Sequence, residues 1–298
     1  PRGVVVRHAM EQPDHRNSIG TVNDLLRLHD IPGIQGIDTR AITRRVRELG
    51  TVLCVFGPLS EESIIIERLK NLTSPELEDL VDLVSIDEPV ILNQDSLDEF
   101  GIKKPRLAAI DCGIKYNILR SLCKSFEVIW CPPNIDFNVL TETYQIDALF
   151  CSNGPGDPAH PGKATTARKI LASAVSAKIP VMGICLGHQL MGLASGLSTY
   201  KMRYGHRGAN QPVVDLISGK VLITSQNHGY QIDLDTLPNC LEVTHSSLFD
   251  KSIEGIKHRS LPIFSVQYHP EASPGPTESS YLFNEFLNLI KVSKNAKT

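Results

Sequence analysis

The sequence predicts an α/β fold, an open and mostly parallel sheet with helices on both faces, preceded by a partial smaller N-terminal domain. Three observations carry this reading: apolar runs of four or so residues alternate with helical stretches beyond residue 105, each run ends in a turn, and composition shifts sharply across 57–105. Strands separated by helices pair in parallel through right-handed crossovers, which gathers any site at their carboxyl ends. The 298 residues, at roughly 150 per domain, make about two domains.

The first elements are two helical patterns, Thr21–His29 and Thr39–Leu49, the second with Asp38 as N-cap and Gly50 at its stop position. Their joint, Ile31-Pro32-Gly33-Ile34-Gln35-Gly36, is longer than the roughly 3–4 residues of a helix-turn-helix. Residues 1–50 hold eight arginines against six acidic residues, so Arg40, Arg44, Arg45 and Arg47 read as a solvated face. Across 57–105 there are twelve acidic residues against four basic ones, with helices at Glu61–Lys70 and Pro75–Leu83. Asp87–Pro105 is aperiodic and reads as a linker. The expected boundaries are therefore 1–86 for the partial N-terminal domain, 87–105 for the linker and 106–298 for the main domain. Because the chain opens Pro1-Arg2-Gly3 without a methionine, further chain upstream is expected.

In the main domain, strands are predicted at Leu107–Ile110, Val128–Trp130, Ala148–Phe150 and Val181–Ile184. Val213–Ile217 and Val221–Thr224 flank Ser218-Gly219-Lys220 as a hairpin, Ile263–Gln267 is another strand, and the helix Glu278–Ile290 closes the domain.

Composition narrows the function classes. A net charge of −3 favours neither nucleic acid nor an anionic membrane as partner. No apolar run approaches the roughly 18–20 residues of a spanning helix and no signal peptide is evident, so a cytoplasmic chain is expected. The seven cysteines are odd in number, irregular in spacing and without zinc-ligand patterns, which argues against a disulfide framework and against a bound metal.

Cysteines 112, 131, 151 and 185 all fall at or just past predicted strand ends, so position alone selects no nucleophile. The flanks do. Gly183-Ile184-Cys185-Leu186-Gly187 has glycine two before and two after the cysteine, which permits a sharp strand-to-helix turn; Cys112 has neither. Over the N-terminus of the following helix, partial positive charge favours thiolate. A free cysteine more often packs as a small hydrophobe, so a catalytic one needs a base nearby. Tyr268-His269-Pro270-Glu271 offers it: residues two apart in an extended run face one way, and Glu271 can fix the tautomer that turns the other nitrogen of His269 toward a thiol. Ser152-Asn153-Gly154-Pro155-Gly156-Asp157-Pro158 supplies a glycine loop with N–H groups for an oxyanion, and the signature of a nucleotide-binding P-loop is absent.

The motifs NGPGDP, GICLGHQ and HPE, in this order, resemble those of class I (triad-type) glutamine amidotransferases. Thr199–Pro212 (TYKMRYGHRGANQP), Ser225–Tyr230 (SQNHGY) and His269–Pro276 (HPEASPGP) are similar to the carbamoyl-phosphate synthase small-subunit family, and Ile37-Asp38-Thr39-Arg40 matches its N-terminal region. The resemblance implies a glutamyl thioester on Cys185, His269 as base and then acid, and Glu271 orienting it. It places Leu186, Gly154 and Gly156 at the oxyanion hole, and Gln189, Asn227, Gly229 and Tyr230 on L-glutamine. Tyr230 stands where the family often has phenylalanine, and the family carries a β-rich upstream stretch whose serine touches glutamine. Also implied is a large-subunit partner that receives the ammonia and itself holds ATP and Mg, with no cofactor in this chain. An amidotransferase subunit of a GMP or anthranilate synthase, or a non-catalytic module that only gates a partner, are the alternatives.

Overall fold

In a computed structural model that describes residues 2–13, 15, 18–50 and 52–295, the chain divides between Ser74 and Pro75 into two units. The first contains β1 (Val4–Val5), α1 (Val22–Leu28), β2 (Gly33–Ile34), α2 (Thr39–Leu49) and α3 (Glu62–Lys70). Thr21 and Asp24 cap α1 reciprocally, and the Asp38 carboxylate accepts from the Ala41 N–H at 3.0 Å to start α2. The joint between α1 and α2 is not a tight turn: Gly33–Ile34 pairs in parallel with Val4–Val5.

The second unit contains β3 (Val90–Leu92), β4 (Arg106–Ile110), α4 (Tyr116–Ser125), β5 (Glu127–Cys131), β6 (Ala148–Cys151), α5 (Lys163–Ser176), β7 (Val181–Ile184) and α6 (Leu186–Ala194). It continues through β8 (Thr199–Asp215), β9 (Val221–Ile232), β10 (Leu241–Ser247), β11 (Ile253–His258), β12 (Ile263–Val266) and α7 (Tyr281–Asn295). One sheet runs in the order β3-β5-β4-β6-β7-β12-β11-β10-β8-β9. Its centre, β5-β4-β6-β7-β12, is parallel as expected, and the remaining pairings are antiparallel.

Side-chain alternation builds a core on each face of the parallel centre. Ala108, Ile110, Leu149 and Cys151 pack with Leu171 of α5 and Leu190 of α6, whereas Leu107, Ala109, Phe150 and Ile184 pack with Leu122 of α4 and Phe286 of α7. Both layers exclude water from the strands, which is why these strands read as unbroken apolar runs.

Several expectations need correction. Pro75–Leu83 holds only a short 3-10 turn, Pro75–Leu77, because its acidic side chains bond elsewhere: Asp79 accepts from Lys163 N–H at 2.7 Å and Asp82 pairs with Lys163 Nζ at 2.8 Å. The unit boundary lies at 74/75 rather than 86/87, and residues 87–105 are docked rather than a free linker. Within them β3 pairs antiparallel with β5, and the Asn93 amide donates to the carbonyls of Cys123 and Phe126 at 3.0 and 2.8 Å. The predicted short hairpin is part of the long β8–β9 ladder, and α7 starts at Tyr281 because Glu278 accepts from Ile223 N–H at 3.0 Å.

Candidate active site

Cys185 occupies the turn between β7 and α6 with φ 55 and ψ −104, a backbone state that a residue bearing a Cβ rarely adopts and that costs about 1–3 kcal/mol. The flanking glycines make the turn sterically possible. A Cβ at Gly183 would lie 2.6 Å from the carbonyl oxygen of Gly187, and one at Gly187 would overlap that of Cys151. The Cys185 N–H donates to Val266 at 2.9 Å, and Ile184 pairs in register with Val266. Adjacent parallel strands β7 and β12 thereby bring Cys185 and the segment after β12 together across 84 positions of sequence.

That segment delivers the histidine. His269 Nδ1 and Glu271 Oε1 are 2.7 Å apart, and the Cys185 side chain is close enough to His269 to act on its charge. Burial alone would lower the pKa of His269, but the Cys185 sulfur and the Glu271 carboxylate together raise it to about 10. The other two histidines near the elbow behave oppositely. Burial drives His188 and His228 down to about 3, so both are neutral and neither takes a proton readily.

Glu271 is itself supported. Burial pushes its carboxyl up, but His269 and then Lys115 outweigh this and hold it below the usual range, ionised. Lys115 Nζ lies 3.2 Å from Glu271 Oε1 and donates to the carbonyl of Ala272, while Asn117 Nδ2 donates to the Glu271 carbonyl at 2.6 Å. Sequence reasoning missed both residues. Their local signal is the polar run Lys115-Tyr116-Asn117 just past the end of β4.

Candidate oxyanion donors lie beside the sulfur. In the first turn of α6 the N–H of Gly187 donates to Ser152 at 2.9 Å, and those of His188 and Gln189 both donate to Cys185 at 3.1 Å. Leu186 is left as the first-turn donor without a described partner. Gly154 packs so closely that a Cβ would overlap the Cys112 carbonyl and sit 2.7 Å from Leu186 Cδ2, while Gly156 faces Leu80. Gln189 reaches Tyr230, donating from Nε2 to its carbonyl at 2.8 Å. Asn227 is exposed and Gly229 half-buried on β9; no hydrogen bond described for either side chain or backbone beyond the ladder ties them to the Cys185 group.

Behind β9 lies a polar cluster that no motif predicted. His206 Nδ1 is 3.2 Å from Glu254 Oε1 and its Nε2 is 2.9 Å from Asp250; Gln226 bridges Glu254 Oε2 at 3.0 Å and His228 Nε2 at 3.1 Å. His206, His228 and Glu254 offer ligand atoms within 4.8 Å of one another, but each such atom already has a protein hydrogen-bond partner. Among the described residues no helix is long and apolar enough to cross a membrane.

Comparison with known proteins gives the family. Residues 108–289 match the family Glutamine amidotransferase class-I, and residues 1–56 match Carbamoyl-phosphate synthase small chain, CPSase domain. The carbamoyl phosphate synthase small chain of Methanocaldococcus jannaschii is 46% identical over 274 residues, covering 90% of this chain and 74% of that one. Those of Staphylococcus saprophyticus and Aquifex aeolicus are 42% and 40% identical, covering 98% and 97% of this chain and 76% and 79% of their own. Among solved structures, a Thermoplasma acidophilum protein provisionally named as a component of a GMP synthase shares the fold, with a TM-score of 0.56, 20% identity, and cover of 65% of this chain and 98% of that one. The match over residues 1–56 separates this chain from the GMP and anthranilate synthase alternatives. With the elbow cysteine inside an amidotransferase domain, a small-chain domain earlier in the sequence and relatives 40–46% identical over most of the chain, the chain belongs to the carbamoyl phosphate synthase small chain family.

Proposed function

We propose that Cys185, His269 and Glu271 hydrolyse the side-chain amide of L-glutamine, and that the ammonia released passes to a large synthetase subunit that makes carbamoyl phosphate from bicarbonate and ATP. The observation that carries this reading is the convergence of Cys185 and a buried, ionised Glu271 on His269, with 2.7 Å between His269 Nδ1 and Glu271 Oε1. With the thiol proton resting on His269, the sulfur attacks the amide carbon. The oxygen, now negative, meets the N–H of Leu186 and the loop carrying Gly154 and Gly156. His269 gives its proton to the leaving nitrogen, ammonia departs, and a thioester remains. Water then attacks, His269 takes its proton, and glutamate leaves as the thiol re-forms, so that glutamine and water become glutamate and ammonia.

Gln189, Asn227, Gly229 and Tyr230 hold the substrate in this reading, ATP and Mg belong to the partner, and the setting is cytoplasmic. A chain that only gated its partner would have no use for a strained cysteine beside a carboxylate-braced histidine. Cys185→Ser, assayed for glutamate release in the assembled complex, is expected to lower turnover about 10⁴-fold. Undiminished release by that variant overturns the proposal.

A further inference from the structure

Gln189 is 3% exposed and spends its whole donor capacity inside the protein. Its Nε2 donates to the Tyr230 carbonyl at 2.8 Å and to Gln267 Oε1 at 2.9 Å. A carboxamide nitrogen has two N–H groups, and both are taken. The Tyr230 carbonyl can only accept, so the nitrogen end must face it, and the oxygen end of Gln189 is left over. Among the described residues no protein donor meets that oxygen.

Gln267 is fully buried, and its own Nε2 has no partner. A buried amide left half-paired is uncommon, because the unpaired end has lost its water for nothing. The opposite flip would not cure it, since it would set one NH2 group against another. Gln267 therefore holds an orientation that serves Gln189 at its own expense. It lies two positions before His269, and its N–H donates to the Glu254 carbonyl at 2.9 Å, which ties it to β11.

Resting on the function proposed above, we infer that Gln267 is a positioning residue: it locks the carboxamide of Gln189 with the oxygen toward the substrate, so that the site demands a hydrogen-bond donor there. The donor is the α-ammonium of glutamine. Gln189 stands one helical turn from Cys185, about 6 Å along the axis. A substrate whose amide carbon is at the sulfur presents its amino end, not its reacting end, at that distance. A substrate carboxylate is excluded from the same spot because two acceptors would face each other.

The test compares two ligands on the assembled complex: the KM for L-glutamine and the inhibition constant of glutaramate, the same molecule without its α-ammonium. Gln267→Met keeps the side-chain length and removes the acceptor. The KM for glutamine is expected to rise about tenfold, the scale of a lost hydrogen bond to a charged group, with the glutaramate constant unchanged within about twofold. A rise shared equally by both ligands marks general damage to the site and overturns the inference, as does no rise. Gln267→Glu keeps an acceptor oxygen toward Gln189 and puts a second oxygen in place of the unpartnered nitrogen; burial at this position favours the neutral acid, the same shape as the amide, so the parent's ratio of the two constants is expected, and a ratio like that of Gln267→Met overturns the inference independently of how well the methionine variant folds. A parent complex that releases no glutamate from glutamine contradicts the function itself rather than the role of Gln267.

Discussion

The units on either side of Ser74 are built by different physics. In the second, strands of the parallel centre are buried on both faces, and α4, α5, α6 and α7 each close part of a core. In the first, α1, α2 and α3 bury no side chain, Gly50 is the single buried position among the described residues, and Leu25, Leu28 and Leu49 are 55%, 78% and 63% exposed. Caps and helix pattern mark the local elements of the first unit, whereas the second unit buries apolar surface in a core, and the rigid elbow needs that cohesion to keep Cys185 strained. The largest stability contrast follows. Phe286 is fully buried, with ring centroids 5.8 Å from Phe126 and 6.0 Å from Phe264. Phe286→Ala is expected to cost about 3–5 kcal/mol in urea unfolding followed by Trp130 fluorescence. Leu28→Ala, whose side chain stays in water, is expected to change stability by less than about 0.5 kcal/mol. Equal losses would break the contrast.

A second contrast concerns pH. The folded pKa of His269, at about 10, lies above the value of 6.5 that an exposed histidine has. The stabilisation it supplies is therefore complete below about pH 6.5 and disappears as pH rises through about 10. Unfolding free energy of the second unit is expected to fall from neutral toward pH 10 in the parent, with a shallower fall in His269→Gln. The same slope in both would detach His269 from the stability of the elbow.

How much of this was legible depended on the range of the interaction. Parallel strands such as Val181–Ile184 were read correctly because burial on both faces leaves a short apolar signature in the chain itself. What the sequence carries of the proposed triad is local: glycines at 183 and 187 for the turn, and Glu271 two residues from His269. β8 and β9 were read only at their joining turn, since polar and exposed residues such as Tyr200 and Arg207 interrupt the alternation. β10 and β11 were missed outright; their pairing is shifted by irregularities at Val243 to Ser246, which blurs the period of two. Lys115, Gln267 and Glu254 were invisible for another reason. Each acts through a partner far away in sequence, and nothing near it announces that partner.

Lys115 gives the smallest contrast, because it and Arg45 both pair with a glutamate but in different media. Lys115 meets Glu271, whose side chain is wholly buried, whereas Arg45 and Glu48 are 3.7 Å apart with side chains 74% and 65% exposed. Removing the first cation leaves a buried carboxylate with His269 and its own backbone N–H to keep it ionised, so Lys115→Met should raise the pKa of Glu271. The acid limb of the glutaminase pH profile is then expected to move to higher pH, with activity at neutral pH lowered severalfold, about 1 kcal/mol in barrier. Arg45→Gln removes a pair already screened by water, and thermal unfolding should stay within about 0.5 kcal/mol of the parent. If Lys115→Met leaves the acid limb where it was, His269 and the backbone hold the charge on Glu271 without it, and the polar run beyond β4 is a matter of packing.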